Sequence, residues 1–486
     1  MAPAMLLPLL LAAAPQVAAT LPQVPHAKKA ILFVGDGMGI PTITATRIFS
    51  VGVDGELTMD TAPYTALLRT HSADHLVPDS ASTMTAMVTG VNPNSGVLGL
   101  GPGTERGDFL GNGDTAPLPT LLELAEQSGR MVGIVTTARL THATPAACYA
   151  KSNSRTREEL FALNLLPGDP AYDVALGSGV DVLFGGGRRW FVPDTMVDEE
   201  GDLGWRTDGR DLRAEFQAAG YAYVWEKSGF DALTAADLPV LGLFESSHME
   251  YEYDRPTDLG GEPSLAEMTA KAIELLDAAS PNGWFLVVEG GRIDHAHHAG
   301  NAFRALVETE ALDLAVAAAL QRVDLKQTLV VVTADHDHTF SLGGSALRPE
   351  AELPYPVASA PATYLNGQHG NVLNTVFDVD TATGNVVAKT DLGGAPYTAL
   401  LYANGPGHRS GPRVDPWLDG TPGFGGAVPN GPEDPNYLQE AAIPLASETH
   451  GGADVLAAAW GIGALRVRGV RPNTYLFTVF RVAMRL

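Results

Sequence analysis

The sequence predicts an α/β protein with a doubly wound, mostly parallel central sheet, helices on both faces, and one insertion on that frame. Three observations carry this expectation: short continuous apolar runs that end in polar or small residues, helical periodicity between those runs, and a stretch late in the chain where the alternation weakens. Continuous apolar runs suit strands buried on both faces. Strands that alternate with helices suit parallel crossover connections.

Taken in order, Met5 to Ala14 is a short apolar run followed by the small residues Val17-Ala18-Ala19, the pattern of a secretory signal over 1–19. Residues 20–486 are then expected to form the folded domain. Ala30 to Val34 reads as a strand ending at Gly35-Asp36. Ser80 to Thr89 reads as a helix with Ala81, Met84, Met87 and Val88 on one face and Gly90 as its stop. A helix over Leu121 to Gln127 stops before Gly129, and the strands Met131 to Val135 and Val182 to Phe184 follow, ending at Thr136 and Gly185. Ser264 and Glu267 form a capping box for a helix to Ala279 that aligns Leu265, Met268, Ala272, Leu275 and Leu276. The strand Trp284 to Val288 meets Glu289, Ala302 to Val323 is helical, and Leu329 to Val332 runs into Thr333-Ala334-Asp335-His336. From about Ser341 to Pro435 glycine, proline, asparagine and aspartate are frequent, as in an insertion. The apolar run Tyr397 to Tyr402 inside it is expected to return to the central sheet.

With 45% hydrophobic and 18% charged residues in 486, there is material for one large core or two ordinary ones, which excludes a wholly disordered chain. No segment after the signal approaches the ~20 apolar residues of a membrane span. The balance of 31 basic against 56 acidic residues, a net charge of −25, argues against a nucleic-acid or anionic-membrane partner. An anionic substrate would need local positive charge, which bound divalent cations supply. The single cysteine, Cys148, excludes an internal disulfide and a four-cysteine zinc site, and reads as a small buried hydrophobe.

In sheets of this kind ligands bind beyond the carboxyl ends of the strands, so the polar residues that end the apolar runs should converge on one edge. Ser80 begins a helix, where free N–H groups and the helix dipole favour an anion. An isolated Asp79-Ser80 is by itself more readily read as a plain helix cap. In the run Glu289 to His298, Asp294 and His298 are four apart and share a helix face, so they can grip one cation. Asp335 and His336 can both reach a metal if the chain turns at the strand end, and His450 lies before Gly451-Gly452, which permit close approach. Together Asp36, Asp294, Asp335, His298, His336 and His450 form a mixed oxygen and nitrogen set suited to zinc. Asp36, Glu289 and the Thr144 hydroxyl suit magnesium.

These motifs resemble the alkaline phosphatase family from about Lys29 onward. The matching segments are Val34-Gly35-Asp36-Gly37-Met38-Gly39, Pro78-Asp79-Ser80-Ala81, His142-Ala143-Thr144-Pro145, Glu289 to His298, Thr333 to His338 and Thr449-His450-Gly451. His142, His295 and Gly242-Leu243-Phe244-Glu245 look closer to the animal-type branch. The resemblance implies an alkaline-phosphatase-like fold with a crown-like insertion, and a secreted hydrolase of phosphate monoesters that works through a phosphoserine on Ser80. It further implies two zinc ions and one magnesium. Asp294, His298 and His450 would hold the first zinc; Asp36, Asp335, His336 and Ser80 the second; Asp36, Thr144 and Glu289 the magnesium. Arg155 would clamp phosphate, with Arg157 its rival in register, and His142 and His295 would tune the magnesium site. Calcium is a further candidate at Phe244, Glu245 and Glu262, its upstream carboxylate open among Asp194, Asp198 and Glu199. Family members are usually homodimers. No lipid-anchor signal is legible in the last residues, Phe480 to Leu486, so the expectation is a periplasmic or extracellular enzyme without a membrane anchor.

Overall fold

The computed structural model describes residues 26–107, 113–344, 386–410 and 431–486, with 372–373, 376–379, 382 and 416. The expected signal over 1–19 and much of the expected insertion over 341–435 lie outside these residues. In chain order the strands are β1 (Lys29–Gly35), β2 (Tyr64–Arg69), β3 (Met131–Arg139), β4 (Val182–Gly186), β5 (Ala222–Val224), β6 (Val240–Leu243), β7 (Trp284–Gly290) and β8 (Thr328–Ala334). They continue with β9 (Asp337–His338), β10 (Phe340–Leu342), β11 (Phe377–Val379), β12 (Val386–Ala388), β13 (Leu400–Gly405), β14 (Ala441–Pro444), β15 (His450–Gly451), β16 (Val455–Gly461) and β17 (Gly469–Pro472). The helices are α1 (Ile40–Val51), α2 (Ser80–Thr89), α3 (Leu121–Gln127), α4 (Ala143–Ala146), α5 (Glu158–Asn164), α6 (Leu212–Ala218), α7 (Lys227–Ala232), α8 (Leu265–Ala279), α9 (Arg292–His298), α10 (Ala302–Leu320) and α11 (Tyr475–Met484).

Ten strands form one sheet in the order β17-β2-β16-β8-β1-β7-β3-β4-β6-β5. Only β16 runs against its neighbours; the other pairings in this sheet are parallel. The sheet is therefore mostly parallel, as the continuous apolar runs require. Strands β1, β7 and β8 are buried along almost their whole length, which removes the alternation that a one-sided sheet would show. Because β7 and β8 flank β1 on opposite sides, the connection through α9 and α10 must cross over β1. The carboxyl ends of these three strands thus border one crevice.

Helix α8 begins as expected, with the Ser264 hydroxyl accepting the Glu267 N–H and the Glu267 carboxylate accepting the Ser264 N–H. Helix α2 departs from its one-sided pattern: all ten residues are buried, since α4 and α11 cover the face that periodicity left to solvent. The run at Tyr397 to Tyr402 also departs from expectation. Its strand, β13, pairs with β10 and β14 in a separate three-stranded sheet, not in the central one. Its side chains Leu400 and Tyr402 complete a small core with Phe49, Leu306 and Phe340 over α1 and α10, so the apolar run is satisfied by a satellite cluster. None of the described helices is long and apolar enough to cross a membrane.

Candidate active site

The ends of β1, β7 and β8 deliver Asp36, Glu289 and Asp335-His336, while the start of α2 delivers Ser80 and α9 delivers Asp294 near its start and His298 at its end. Strand β8 ends at Ala334, and the turn that follows lets both Asp335 and His336 face the crevice. The Ser80 hydroxyl lies 3.4 Å from Asp36 Oδ1 and 3.4 Å from His336 Nε2. His336 Nε2 is 3.3 Å from Asp36 Oδ1 and 3.4 Å from Asp335 Oδ2. The Gly37 N–H and the Thr83 hydroxyl donate to the two Asp335 oxygens at 3.0 and 3.1 Å, fixing that carboxylate.

A second group forms around Asp294. His298 Nε2 and His450 Nε2 are 3.1 Å apart, and each lies 3.3–3.4 Å from Asp294 Oδ1. His298 Nδ1 faces the Glu448 carbonyl at 2.6 Å and His450 Nδ1 faces the Pro78 carbonyl at 2.8 Å. Each Nδ1 must therefore carry the hydrogen, which leaves both Nε2 lone pairs directed at each other and at a carboxylate. Three acceptors converging with no donor between them fit a cation, and two nitrogens with one oxygen fit zinc. His336 repeats the pattern, with Nδ1 against the Asp337 carbonyl at 3.2 Å and Nε2 turned toward Asp36 and Asp335. Beside it the Thr144 hydroxyl is 3.4 Å from Asp36 Oδ2, and the buried Glu289 Oε1 has no partner. That all-oxygen group fits magnesium.

Electrostatics lead to the same demand. Burial, then Asp335 and Asp294, push the Asp36 carboxyl well above its ordinary range. Burial lifts Glu289 to about 8. Against burial, Asp335 and Asp36 lift His336 to about 10. Carboxylates packed this closely cannot all ionise without cations among them.

Of the two arginines in question, Arg155 enters the site and Arg157 instead stands at the residue before α5, without a side-chain hydrogen bond to the helix end. Arg155 Nη1 donates to Asp79 Oδ2 at 2.9 Å, and its Nη2 reaches His142 Nε2 at 3.3 Å. Asp79 is also the cap of α2, accepting from the Ser82 and Gly96 N–H groups at 3.3 and 2.8 Å. His142 and His295 stand outside the Asp294 and Asp335 groups, 5.4 Å apart between ring centroids. Burial first, then neighbouring guanidinium groups, hold both rings neutral, His295 down to about 3.

Sequence reasoning passed over several residues here. His338 Nε2 lies 2.9 Å from Asp294 Oδ1, and its Nδ1 contacts Glu448 Oε2 at 2.5 Å. The alternation of His336 and His338 along an extended chain was an available signal, since residues two apart share a side. Glu448 also accepts from the Thr339 N–H at 2.7 Å. His248, just beyond β6, packs against His295 with ring centroids 4.1 Å apart and the rings tilted by 58°, a contact that no local pattern announces. Phe244 and Glu245 follow β6 and belong to a different place, a groove that Glu245 shares with Glu199, Glu200, Glu250 and Asp258. Glu262 is buried, accepts the Glu250 N–H through both oxygens, and is raised to about 9, first by burial and then by Glu245. Asp198 is occupied by Arg188 at 2.8 Å.

A mostly parallel sheet whose switch-point crevice gathers a helix-start serine, an arginine and groups of cation-seeking acceptors defines a hydrolase centre for an anionic ester. Comparison with known proteins gives the family. The alkaline phosphatase family model matches residues 27–486. The chain is 37% identical over 480 residues to the membrane-bound alkaline phosphatase of Bombyx mori, covering 93% of this chain and 79% of that one. It is 37% identical over 476 residues to the tissue-nonspecific isozyme of Gallus gallus, covering 93% and 83%. The fold is similar to that of the Thermus thermophilus enzyme, with a TM-score of 0.64 at 24% identity, over 98% of this chain and 96% of that one. The alkaline phosphatase of the Antarctic bacterium TAB5 gives 0.61 at 20% identity, over 95% and 99%. The chain belongs to the alkaline phosphatase family and is a phosphate monoester hydrolase.

Proposed function

We propose that this enzyme is metal-dependent and transfers the phosphoryl group through a covalent phosphoserine on Ser80. The observation that carries the reading is the pair of His298 and His450 lone pairs facing one another beside Asp294. Asp294, His298 and His450 would hold one zinc ion; Asp36, Asp335, His336 and Ser80 a second; and Asp36, Thr144 and Glu289 a magnesium ion. When bound, these ions supply Lewis-acid charge that lowers the pKa of a hydroxyl and stabilises a departing alkoxide.

The chain's own residues do the rest. Arg155, held by Asp79, presents two N–H groups to non-bridging oxygens of the phosphate, which favours a dianionic monoester over a diester. The start of α2 adds N–H groups and dipole toward the same anion. The Ser80 oxygen forms a bond to phosphorus as the ester P–O bond breaks, and the alcohol leaves with the serine proton. Water then forms the new P–O bond as the serine P–O bond breaks, and its proton returns to Ser80. One ester and one water give one alcohol and one inorganic phosphate. His142 and His295 would tune the magnesium site.

Acid quenching after mixing with a labelled monoester should trap label on wild-type protein and none on Ser80→Ala. Label retained elsewhere in that variant sinks the assignment. Metal analysis should find two zinc and one magnesium per chain, with Asp294→Ala or His298→Ala losing one zinc, and chelation should abolish turnover and lower Tm. A preference for the bis-ester or the sulfate over p-nitrophenyl phosphate would overturn the substrate class. We further propose export, supported by the apolar run at the N-terminus, and a homodimer, testable by light scattering. Calcium is proposed for the groove at Phe244 and Glu245, with Glu262 behind it. Glu199 and Glu200 both line that groove as upstream carboxylates, and added Ca²⁺ should raise Tm in a manner that Glu245→Gln abolishes.

A further inference from the structure

Next to the reaction centre the structure gathers three imidazoles, His142, His248 and His295, with one nitrogen of each within 4.8 Å of the others. Three guanidinium groups abut them, and a guanidinium can only donate. Arg155 donates to His142 Nε2 at 3.3 Å, so Nδ1 carries the hydrogen, and that buried Nδ1 has no partner. Arg292 Nη1 faces His295 Nδ1 at 3.5 Å, which turns Nε2 into the donor. Arg139 presents donors to both nitrogens of His248, its backbone N–H to Nδ1 at 3.2 Å and its Nη1 to Nε2. A neutral ring accepts at one nitrogen only, so one N–H of His248 also points at a donor.

The charges are equally unbalanced. Arg139 is matched by Glu158 and Arg155 by Asp79. Arg292 makes no ion pair among the described residues; it lies 3.7 Å over the Tyr251 ring, and its buried Nε has no partner. Lone pairs already taken by arginines, and a guanidinium without an ion pair among the described residues, oppose a metal ion at this spot. A surplus of donors without an acceptor suits an oxyanion. His142, His248 and His295 are each part-exposed, while His142 Nδ1 and Arg292 Nε are covered.

We propose that Arg292, His248 and His295, with His142 Nδ1, form an oxyanion subsite beside the reaction centre. It takes the second anionic group of phosphate esters that also carry a phosphate or a carboxylate. The substrate class rests on the monoesterase reading above; the subsite itself rests on the donor geometry. Two charge-assisted hydrogen bonds should favour such a ligand by roughly tenfold or more over its singly anionic counterpart.

The test is equilibrium binding, by calorimetry on metal-loaded protein, of propane-1,3-bisphosphonate and of propylphosphonate. Neither is hydrolysed, so the outcome does not depend on turnover. Wild type should bind the bisphosphonate at least about tenfold tighter, the ratio should fall below about threefold in Arg292→Met and in His248→Phe, and Arg292→Lys should restore part of it. A wild-type ratio near one, a ratio unchanged in both variants, or equal weakening of both ligands would overturn the subsite. If Arg292→Met does not fold, His248→Phe decides. Replacing the second phosphonate by a carboxylate, in 4-phosphonobutanoate, separates the two anion sources. Absence of monoester turnover with the ratio intact would defeat the phosphatase reading and leave the subsite standing.

Discussion

Asp79→Asn isolates how Arg155 is held. The Asp79 carboxylate accepts the Gly96 N–H at 2.8 Å and the Ser82 N–H at 3.3 Å through Oδ1, and Arg155 Nη1 at 2.9 Å through Oδ2. Burial opposes its ionisation, yet Arg155 and these N–H groups hold the carboxyl down at about 2 against an ordinary 3.8. At roughly 1.4 kcal/mol per unit of pKa, that difference contributes about 2 kcal/mol to folding at neutral pH. The folded value is the lower one, so this stability is complete above pH 3.8 and disappears as pH falls through about 2. Asparagine keeps the Oδ1 acceptor for Gly96 and Ser82 but sets an uncharged group against Arg155. Denaturant unfolding at pH 7 with metals in excess should show a loss of about 2 kcal/mol. The same variant should weaken inhibition by inorganic phosphate severalfold, because an arginine without its partner is no longer pre-oriented. A stability change below about 0.5 kcal/mol, or phosphate bound as tightly as before, would refute the reasoning that this ion pair positions the clamp.

Two further outcomes are expected. Glu308 is buried, its carboxyl raised to about 8 by burial, and it accepts the Glu252 N–H at 2.5 Å. Its contribution is present below pH 4.5 and lost as pH rises through about 8, so Glu308→Gln should flatten the fall in Tm between pH 6 and pH 9. An unchanged slope in a thermal melt series argues that the carboxyl titrates near its ordinary value. Gly37 has φ +67°, and a Cβ there would lie 2.4 Å from the His338 ring. Gly37→Ala should therefore cost about 2 kcal/mol or more and displace His338 from Asp294, seen as weaker zinc retention on dialysis. Full zinc retention would count against His338 as a support for that carboxylate.

The sequence by itself determined the five adjacent strands β8, β1, β7, β3 and β4 at the middle of the central sheet, because strands buried on both faces must be written as unbroken apolar runs, and each of those runs became a strand. It also singled out Asp36, Glu289, Asp294, His298, Asp335 and His336 as candidate site residues, since a parallel sheet sends its strand ends to one edge and a residue at i+4 shares a helix face, while the roles of Ser80 and His450 rested on the family resemblance; the fold brings all eight to one crevice. What local pattern could not decide is partnership across the fold. The run at Tyr397 to Tyr402 is apolar whether it joins the large sheet or the satellite sheet, and only the contacts of Leu400 and Tyr402 with Phe49, Leu306 and Phe340 settle which. Helix α2 looked one-sided until α4 and α11 closed over it. Arg155 and Arg157 are equal in sequence, and the choice between them was made by Asp79, 76 positions earlier. His248 carries no motif at all. Its place beside His142, His295 and Arg292 exists only because the loop after β6 and the start of α9 meet at the same edge, so the oxyanion subsite is a property of the packing.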